Sequence, residues 1–313
     1  SSRRESAETS MLAMNQSRLS SAATVSIEES SQFASALLLC TKHGGWEVKV
    51  VGKNAEESPY VAMTMKLIEA FPDHGGSFQI EPDASSGSCF WAANWLVTKS
   101  ELYDVIRFVT GQQSTTRLDV SYDERGIPNS TASTIRLNHW PKSGWQVDAE
   151  FPDFLPLPDE VSREGQLGDS IMTAIVLAAD ALGGQGEIER FKWLRFTDLG
   201  RLRKQECERV VALRAELTKC GGHVRENGDA LEIWPAPLHG AEIETYNDHR
   251  MAMCFAILGL KVPGIKIKNP ACVKKTFPNF FQKLAAPPPK GLGAEIRDAN
   301  TGRKLEVSEL FAE

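Results

Sequence analysis

The sequence predicts an α/β protein built from repeated helix–strand modules, and two observations carry that class. A helix opened by polar residues, closed by glycine and followed by a short strand-like run recurs along the 313 residues, with openings near 30, 83, 169 and 248. The composition, 42% hydrophobic and 24% charged with 24 glycines, is that of a chain folding around a core, which excludes disordered, collagen-like and disulfide-framework classes. The openings are too widely spaced for a solenoid of short repeats, so each module reads as helices packed on a small sheet.

Taken in order, Ser30, Ser31 and Gln32 open a helix over Phe33–Cys40, Gly44 and Gly45 stop it, and Trp46–Val51 is the strand. Ser58 and Pro59 sit as N-cap and first-turn proline of an amphipathic helix to Phe71, with a strand over Gly76–Ile80. Asp83, Ala84, Ser85 and Ser86 open the second copy, which continues through Phe90–Val97. Asp169 and Ser170 open the third, which runs to Leu182 and passes Gly183 and Gly184 to a strand around Ile188. An amphipathic helix from Gln205 to Lys219 is stopped by Gly221 and Gly222. A hairpin then pairs His223–Glu226 with Ala230–Trp234 across Asn227, Gly228 and Asp229. The fourth copy begins at Asn247, Asp248, His249 and Arg250, runs to Leu260, and turns at Pro263 and Gly264 into Ile265–Lys268.

Asn129–Ser133 and Pro152–Glu160 read as loops. Pro287–Pro289 separates a tail, Lys290–Glu313, in which Ile296–Arg297 and Arg303–Val307 are candidate short strands without assigned chemistry. Residues 1–31 hold ten serines and little periodicity, and read as a partly ordered arm. Glu5, Glu8, Glu28 and Glu29 argue against a transit-peptide remnant there.

A net charge of −6 does not indicate bulk attraction to nucleic acid or acidic membranes. No apolar run reaches the ~18–20 residues of a spanning helix; the longest candidate, Ile171–Leu182, carries Asp180. The six cysteines are dispersed without a C-x-x-C pair; Cys40 with His43 and Cys220 with His223 have ligand-like spacing but no second half, so no metal is expected. A reducing compartment fits this usage.

The polar helix openings carry the chemistry. A helix N-terminus presents unpaired N–H groups and a partial positive charge, which suits anions. Ser30 and Ser31 add hydroxyl donors and Gln32 an amide, so this opening is either a phosphate cradle or ordinary capping. At Asp248, His249 and Arg250 a cap needs only one short polar residue, and arginine opposes the helix dipole, so Arg250 either meets an anion or pairs with a nearby acid. Arg201, Lys204 and Glu208 share one expected helix face, which reads as solvated ion pairs, while Glu206 and Arg209 lie three apart on another face able to line a cleft. Lys274 and Lys275, placed between a strand and Phe277–Pro278, either reach an anion or are merely solvated.

Together these segments resemble the enolpyruvyl transferases, and within them the 5-enolpyruvylshikimate-3-phosphate (EPSP) synthases. Glu244–Cys254 and Cys272–Pro278 are similar to the family's two C-terminal signatures, and Ser30–Phe33 with Ala36–Leu39 to its phosphate-binding helix start. Asp83–Ser86 and Gly168–Thr173 also fit, in the right order, over roughly residues 25 to 285. The sister enzyme acting on UDP-N-acetylglucosamine lacks the combination of His249–Met253 and Lys275–Pro278.

The resemblance implies an inside-out α/β barrel of repeated βαβαββ units, with helix N-termini aimed at a cleft that holds shikimate-3-phosphate and phosphoenolpyruvate. Residues 1–80 would be an arm and a partial first domain of one unit, 81–285 a complete second domain, and 286–313 a tail. The implied reaction transfers the enolpyruvyl group to the 5-hydroxyl of shikimate-3-phosphate and releases phosphate, without metal or organic cofactor. It implies Asp169 as acceptor of the hydroxyl proton, with Glu206 and Lys275 in proton transfer at the methylene carbon. Ser30, Ser31, Gln32 and Tyr60 would hold shikimate-3-phosphate, Arg209, Arg250 and Lys275 phosphoenolpyruvate, and Lys204, Asp248 and His249 complete the binding set. A cytoplasmic monomer is implied, or a plastid one if the source is a plant or alga. Glyphosate is the family's phosphoenolpyruvate competitor.

Three departures qualify the pattern. Glu57 stands where the family has a serine ahead of Tyr60, and Gln205 where it has a lysine before the glutamate, with Lys204 one residue earlier and rotated by about 100° on a helix. About thirty residues precede Ser30, where the family has a long segment bearing two further units and several anion-binding groups. The alternatives are therefore a non-catalytic relative that binds or regulates, or one half of a split enzyme partnered by a separate N-terminal fragment. Catalysis on a different anionic acceptor is a weaker third.

Overall fold

The computed structural model describes residues 22–28, 30–52, 54, 58–72, 74–96, 135, 137–180 and 193–313. The sequence expectations for the N-terminal arm, Glu57, the loop 129–133, the helix end at Leu182 and the strand around Ile188 lie outside these residues. The chain divides into two compact units after Ile80, with Ser143–Gln146 grouping with the first.

In the first unit, β1 (Ala22–Ser26) pairs in parallel with β2 (Glu47–Val51) in the register Ala22 to Glu47. A parallel pair needs a crossover, and α1 (Gln32–Gly44) supplies it, ending where Gly45 takes φ +64° and donates to Thr41 O at 3.0 Å. The second helix, α2 (Ser58–Ala70), packs on α1 through a hydroxyl contact of 2.9 Å between Ser35 and Thr64. Ile27, Ala34, Leu38 and Val61 form a small core. The strand expected over Gly76–Ile80 is irregular chain instead. No strand among the described residues pairs with it, and Phe78 turns back onto the Phe71 ring at 5.4 Å.

The second unit holds the larger core. A mixed sheet has the order β3 (Glu160–Ser162), β4 (Leu194–Thr197), β6 (Ala230–Trp234), β5 (His223–Asn227), parallel at its first pairing and antiparallel thereafter. The β5–β6 hairpin forms as the Asn227–Asp229 signal predicts, with Gly228 at φ +60°. A parallel pair, β7 (Glu242–Ile243) and β8 (Lys266–Ile267), is shorter than the strand expected at 265–268.

Helices α3 (84–96), α4 (Ile171–Ala179), α5 (Arg209–Lys219) and α6 (His249–Gly259) fill this unit, and α7 (Phe280–Ala285) follows. Every residue of α4 is buried, as expected of a helix apolar all round. No described helix is long and apolar enough to cross a membrane.

Two expectations are corrected here. The helix expected from Gln205 starts at Arg209, because the Glu208 side chain caps it by accepting from Val211 N. Gly200–Lys204 forms a separate 3-10 turn and Gln205 is non-helical at φ −90°, ψ −138°. Arg201, Lys204 and Glu208 therefore share no α-helical face, and helical rotation does not relate Lys204 to Gln205. The expected loop 152–160 is in part a 3-10 helix, Val147–Phe154, whose Phe151 is fully buried.

The C-terminal segment belongs to the second unit. Ala312 N donates to Pro278 O and Gln282 Nε2 to Val307 O, both at 2.9 Å. In place of two strands, a single antiparallel bridge joins Arg297 and Lys304.

Candidate active site

The helix starts of α3, α4, α5 and α6 supply most of the site residues of the second unit, and the 3-10 helix Pro270–Lys275 supplies Lys275. Asp83 caps α3 by accepting from Ser85 N at 3.0 Å and Ser86 Oγ at 2.5 Å. At α4 the turn depends on Gly168. Its φ is +52°, and a Cβ there would lie 2.8 Å from Val147 Cγ1 and 3.0 Å from Asp148 Oδ2. Ser170 N donates to Asp148 Oδ1 at 2.7 Å, which anchors the start of α4 to the Val147–Phe154 helix. At α6, Asp248 caps by accepting from Arg250 N at 2.8 Å.

This arrangement surrounds Asp169 with cations. Arg163 Nη2 donates to Asp169 Oδ1 at 2.9 Å, while Arg209 Nη1 and Arg250 Nε lie 3.5 Å from Oδ2. Gln205 Nε2 adds a contact at 3.3 Å. Burial disfavours the charged carboxylate, but the Arg250, Arg163 and Arg209 guanidinium groups outweigh it and hold Asp169 well below the usual carboxylate range. Arg250 also donates to Ser85 Oγ at 2.5 Å. Burial works against its charge, yet Asp169, Asp148 and Asp83 keep it protonated above its ordinary value.

Arg209 is fully buried and is matched on each side. Its Nε donates to Asp248 Oδ2 at 2.7 Å, its Nη2 meets Glu206 Oε2 at 2.6 Å, and its Nη1 donates to Gln205 Oε1. An unpaired guanidinium here would cost several kcal/mol. Glu206 continues the chain of charges to Lys275, whose Nζ lies 2.5 Å from Oε1. Burial raises the Glu206 carboxyl, but the Lys275 hydrogen bond and Arg209 bring it below its ordinary value.

Two buried groups flank the cluster with opposite shifts. Burial pushes the Asp148 carboxyl up to about 6, with Arg250 opposing the rise and Asp169 adding to it. Burial and the Arg250 charge push His249 down to about 4, so it is neutral at pH 7. Its Nδ1 lies 3.8 Å from Asp248 Oδ1 and has no hydrogen-bond partner among the described residues.

The structure thus brings Asp169, Glu206, Arg209, Asp248, Arg250 and Lys275 into one network, with His249 beside it. Asp248 is fully buried and engaged by Arg209 and Arg250 N, so it holds these arginines in place. Lys204 is exposed at the end of its 3-10 turn and makes none of the network's contacts among the described residues. Ser30, Ser31, Gln32 and Tyr60 lie in the first unit. Ser31 is the buried N-cap of α1, Ser30 Oγ accepts from Gln32 N at 3.2 Å, and Gln32 is exposed. Tyr60 is half-buried in the first turn of α2. Sequence reasoning did not single out Arg163 or Asp148. Neither carries a periodic or capping signal; Gly168, where a side chain would strike Asp148, was the nearest clue.

An α/β unit with arginines gathered on one carboxylate at converging helix starts is the class these features define. A sequence model of EPSP synthase (3-phosphoshikimate 1-carboxyvinyltransferase) matches residues 165–284, and over those residues the chain is similar to that family. The 3-phosphoshikimate 1-carboxyvinyltransferase of Pseudomonas syringae pv. tomato is 32% identical over 283 residues, covering 82% of this chain and 58% of the relative. That of Rhizobium etli is 32% identical over 294 residues, covering 86% and 59%. That of Nostoc punctiforme is 54% identical over 83 residues, covering 26% and 20%. A solved EPSP synthase structure from Acinetobacter baumannii overlaps 37% of this chain and 26% of that one, with TM-score 0.32 and 27% identity. The chain spans less than two thirds of the length of the curated relatives first named.

Proposed function

We propose that the chain transfers the enolpyruvyl group of phosphoenolpyruvate to the 5-hydroxyl of shikimate-3-phosphate and releases phosphate, in the cytoplasm and without a cofactor. Residues 81–285 would form the second domain of an inside-out α/β barrel and residues up to 80 part of the first. The observation that carries the reading is the set of three guanidinium groups around Asp169, joined through Arg209 and Glu206 to Lys275.

The reaction requires cations for phosphate and carboxylate, a base for the hydroxyl and an acid for the methylene carbon. Without substrate, the arginines and Lys275 neutralise acids of the chain itself. Phosphoenolpyruvate arriving at Arg209, Arg250 and Lys275 supplies new negative charge. These guanidinium groups then stabilise Asp169 less, and its carboxylate becomes a better proton acceptor. Ser30, Ser31, Gln32 and Tyr60 would hold the acceptor's phosphate. Asp169 would take the 5-hydroxyl proton as its oxygen adds to the enol carbon. The Glu206–Lys275 pair would deliver a proton to the methylene carbon. In the second half it would take a proton back from that carbon as the C–O bond to phosphate breaks, and Asp169 would return the hydroxyl proton to the departing phosphate, so both residues end as they began. Asp248, which holds Arg209 and caps the helix at Arg250, and His249 beside it would complete the binding set.

The test is release of inorganic phosphate by the full chain with both substrates, beside thermal shifts with each one singly. Turnover that R250L abolishes is the expected result. A second reading is binding without turnover. Stabilisation by phosphoenolpyruvate with no phosphate release would select it. Turnover appearing only when a separate N-terminal fragment is added would select the split enzyme. No stabilisation by either substrate would contradict both.

A further inference from the structure

Helix α5 touches the segment leading into α6 at two places. Its first residue, Arg209, grips Asp248. Two helical turns along, on the same face, Glu216 reaches the residues just before Asp248. Glu216 is fully buried. Its Oε1 accepts from Tyr246 Oη at 2.7 Å and its Oε2 from Glu244 N at 3.0 Å. Lys219 Nζ lies 2.8 Å from both oxygens at the surface end.

The segment held in this way is strained. Tyr246 and Asn247 take φ +52° and +57°, two consecutive left-handed residues without a glycine. Asparagine enters that region readily, whereas tyrosine occupies it only when its surroundings impose it. Glu216 imposes it on one side, and the 3.1 Å bond from Asn269 Nδ2 to Asn247 Oδ1 on the other. The Tyr246 hydroxyl, pushed up to about 12 by burial and by Glu216, stays a donor across the physiological range. The next residues are Asp248, which caps α6 and grips Arg209, and Arg250, which faces Asp169.

We propose that Glu216 is a positioning residue for the phosphoenolpyruvate site, holding the Tyr246–Asn247 turn so that Asp248 and Arg250 keep their places around Asp169. It touches neither substrate nor reacting atoms, and acts through the turn alone. This inference rests on the reading above that Arg209 and Arg250 bind phosphoenolpyruvate. Lys219 balances the charge of the same carboxylate, so the control is Thr218, exposed on α5 with its hydroxyl donating to Arg214 O.

The test pairs two readouts on the full chain: hydrogen exchange of the amides at residues 244–250, and the phosphoenolpyruvate dissociation constant by calorimetry. E216A is expected to speed exchange through Arg250 and to weaken binding about tenfold, as displaced positioning groups do. E216Q keeps one of the two acceptors and Y246F removes one donor, so each should show a smaller effect on both readouts. T218A should change neither. Unchanged exchange in E216A, with α4 still protected, would overturn the proposal. So would faster exchange with unaltered affinity, which would make the turn structural only. If E216A does not fold, unchanged exchange in both E216Q and Y246F overturns it equally. Should the wild-type chain bind no phosphoenolpyruvate, the reading of the site fails, while the exchange measurement still decides whether Glu216 holds the turn.

Discussion

The opposed pKa shifts of His249 and Asp148 predict pH dependences of stability that oppose each other in the native sequence and separate on substitution. His249 titrates near 6.5 when unfolded and about 4 in the fold, through burial and Arg250, with Asp248 and Glu206 opposing. Between those values the unfolded chain binds more protons, so this group contributes stability that grows as pH rises from about 4 to 6.5. Asp148 titrates at 3.8 unfolded and about 6 folded, so the folded chain binds more protons and its contribution shrinks as pH rises over nearly the same window. Each gap exceeds two pH units, worth about 3 kcal/mol. H249N removes the rising contribution and D148N the falling one. Urea denaturation of the full chain from pH 4 to 6.5 reads both, as differences from wild type, so shared contributions from Asp169 and Asp248 drop out. The H249N difference should become more destabilising as pH rises, and the D148N difference less so. An H249N difference that is flat or of opposite slope would refute the assignment of a buried neutral imidazole beside Arg250.

Other expected outcomes follow from single contacts. G168A puts a Cβ 2.8 Å from Val147 Cγ1 at a positive φ, and should lower stability by ~1–3 kcal/mol while reducing turnover in the folded fraction; denaturation and phosphate release measure the two. F255A, in the middle of α6 and fully buried, should cost ~3–5 kcal/mol in the same denaturation assay. R250L leaves Asp169 and Asp148 without a shared cation, so its stability loss should be largest near pH 7 and smaller below pH 4, where carboxylates protonate; a pH-independent loss in melting would contradict that. K275Q removes the 2.5 Å contact with Glu206 and should lower both phosphoenolpyruvate affinity and kcat, with little effect on melting because Lys275 is exposed.

Local physics explains which parts of the fold were legible in sequence. The hairpin around Gly228 and the Asp248 cap form where short patterns place them, and the apolar α4 forms over Ile171–Ala179, inside the longer run expected from Asp169 to Leu182. The start of α5 was misplaced because amphipathic spacing over 205–219 does not report that Glu208 caps and Gln205 turns out to meet Asp169. The 76–80 run has strand-like composition, but pairing is non-local and no described strand supplies a partner. Within the site, residues sharing a helix start were visible as motifs. Arg163 and Asp148 were not, since their contacts depend on how Gly168 folds one turn against another. Glu216 was equally hidden, because its role depends on a turn whose φ values no motif announces.

The central claim, that the cations around Asp169 serve enolpyruvyl transfer, is tested most directly by mass spectrometry of shikimate-3-phosphate incubated with phosphoenolpyruvate and the full chain. The account predicts a product heavier by one enolpyruvyl group, formed in step with inorganic phosphate and lost in R250L. Unmodified shikimate-3-phosphate alongside intact phosphoenolpyruvate, from a wild-type chain shown to be folded, would contradict it.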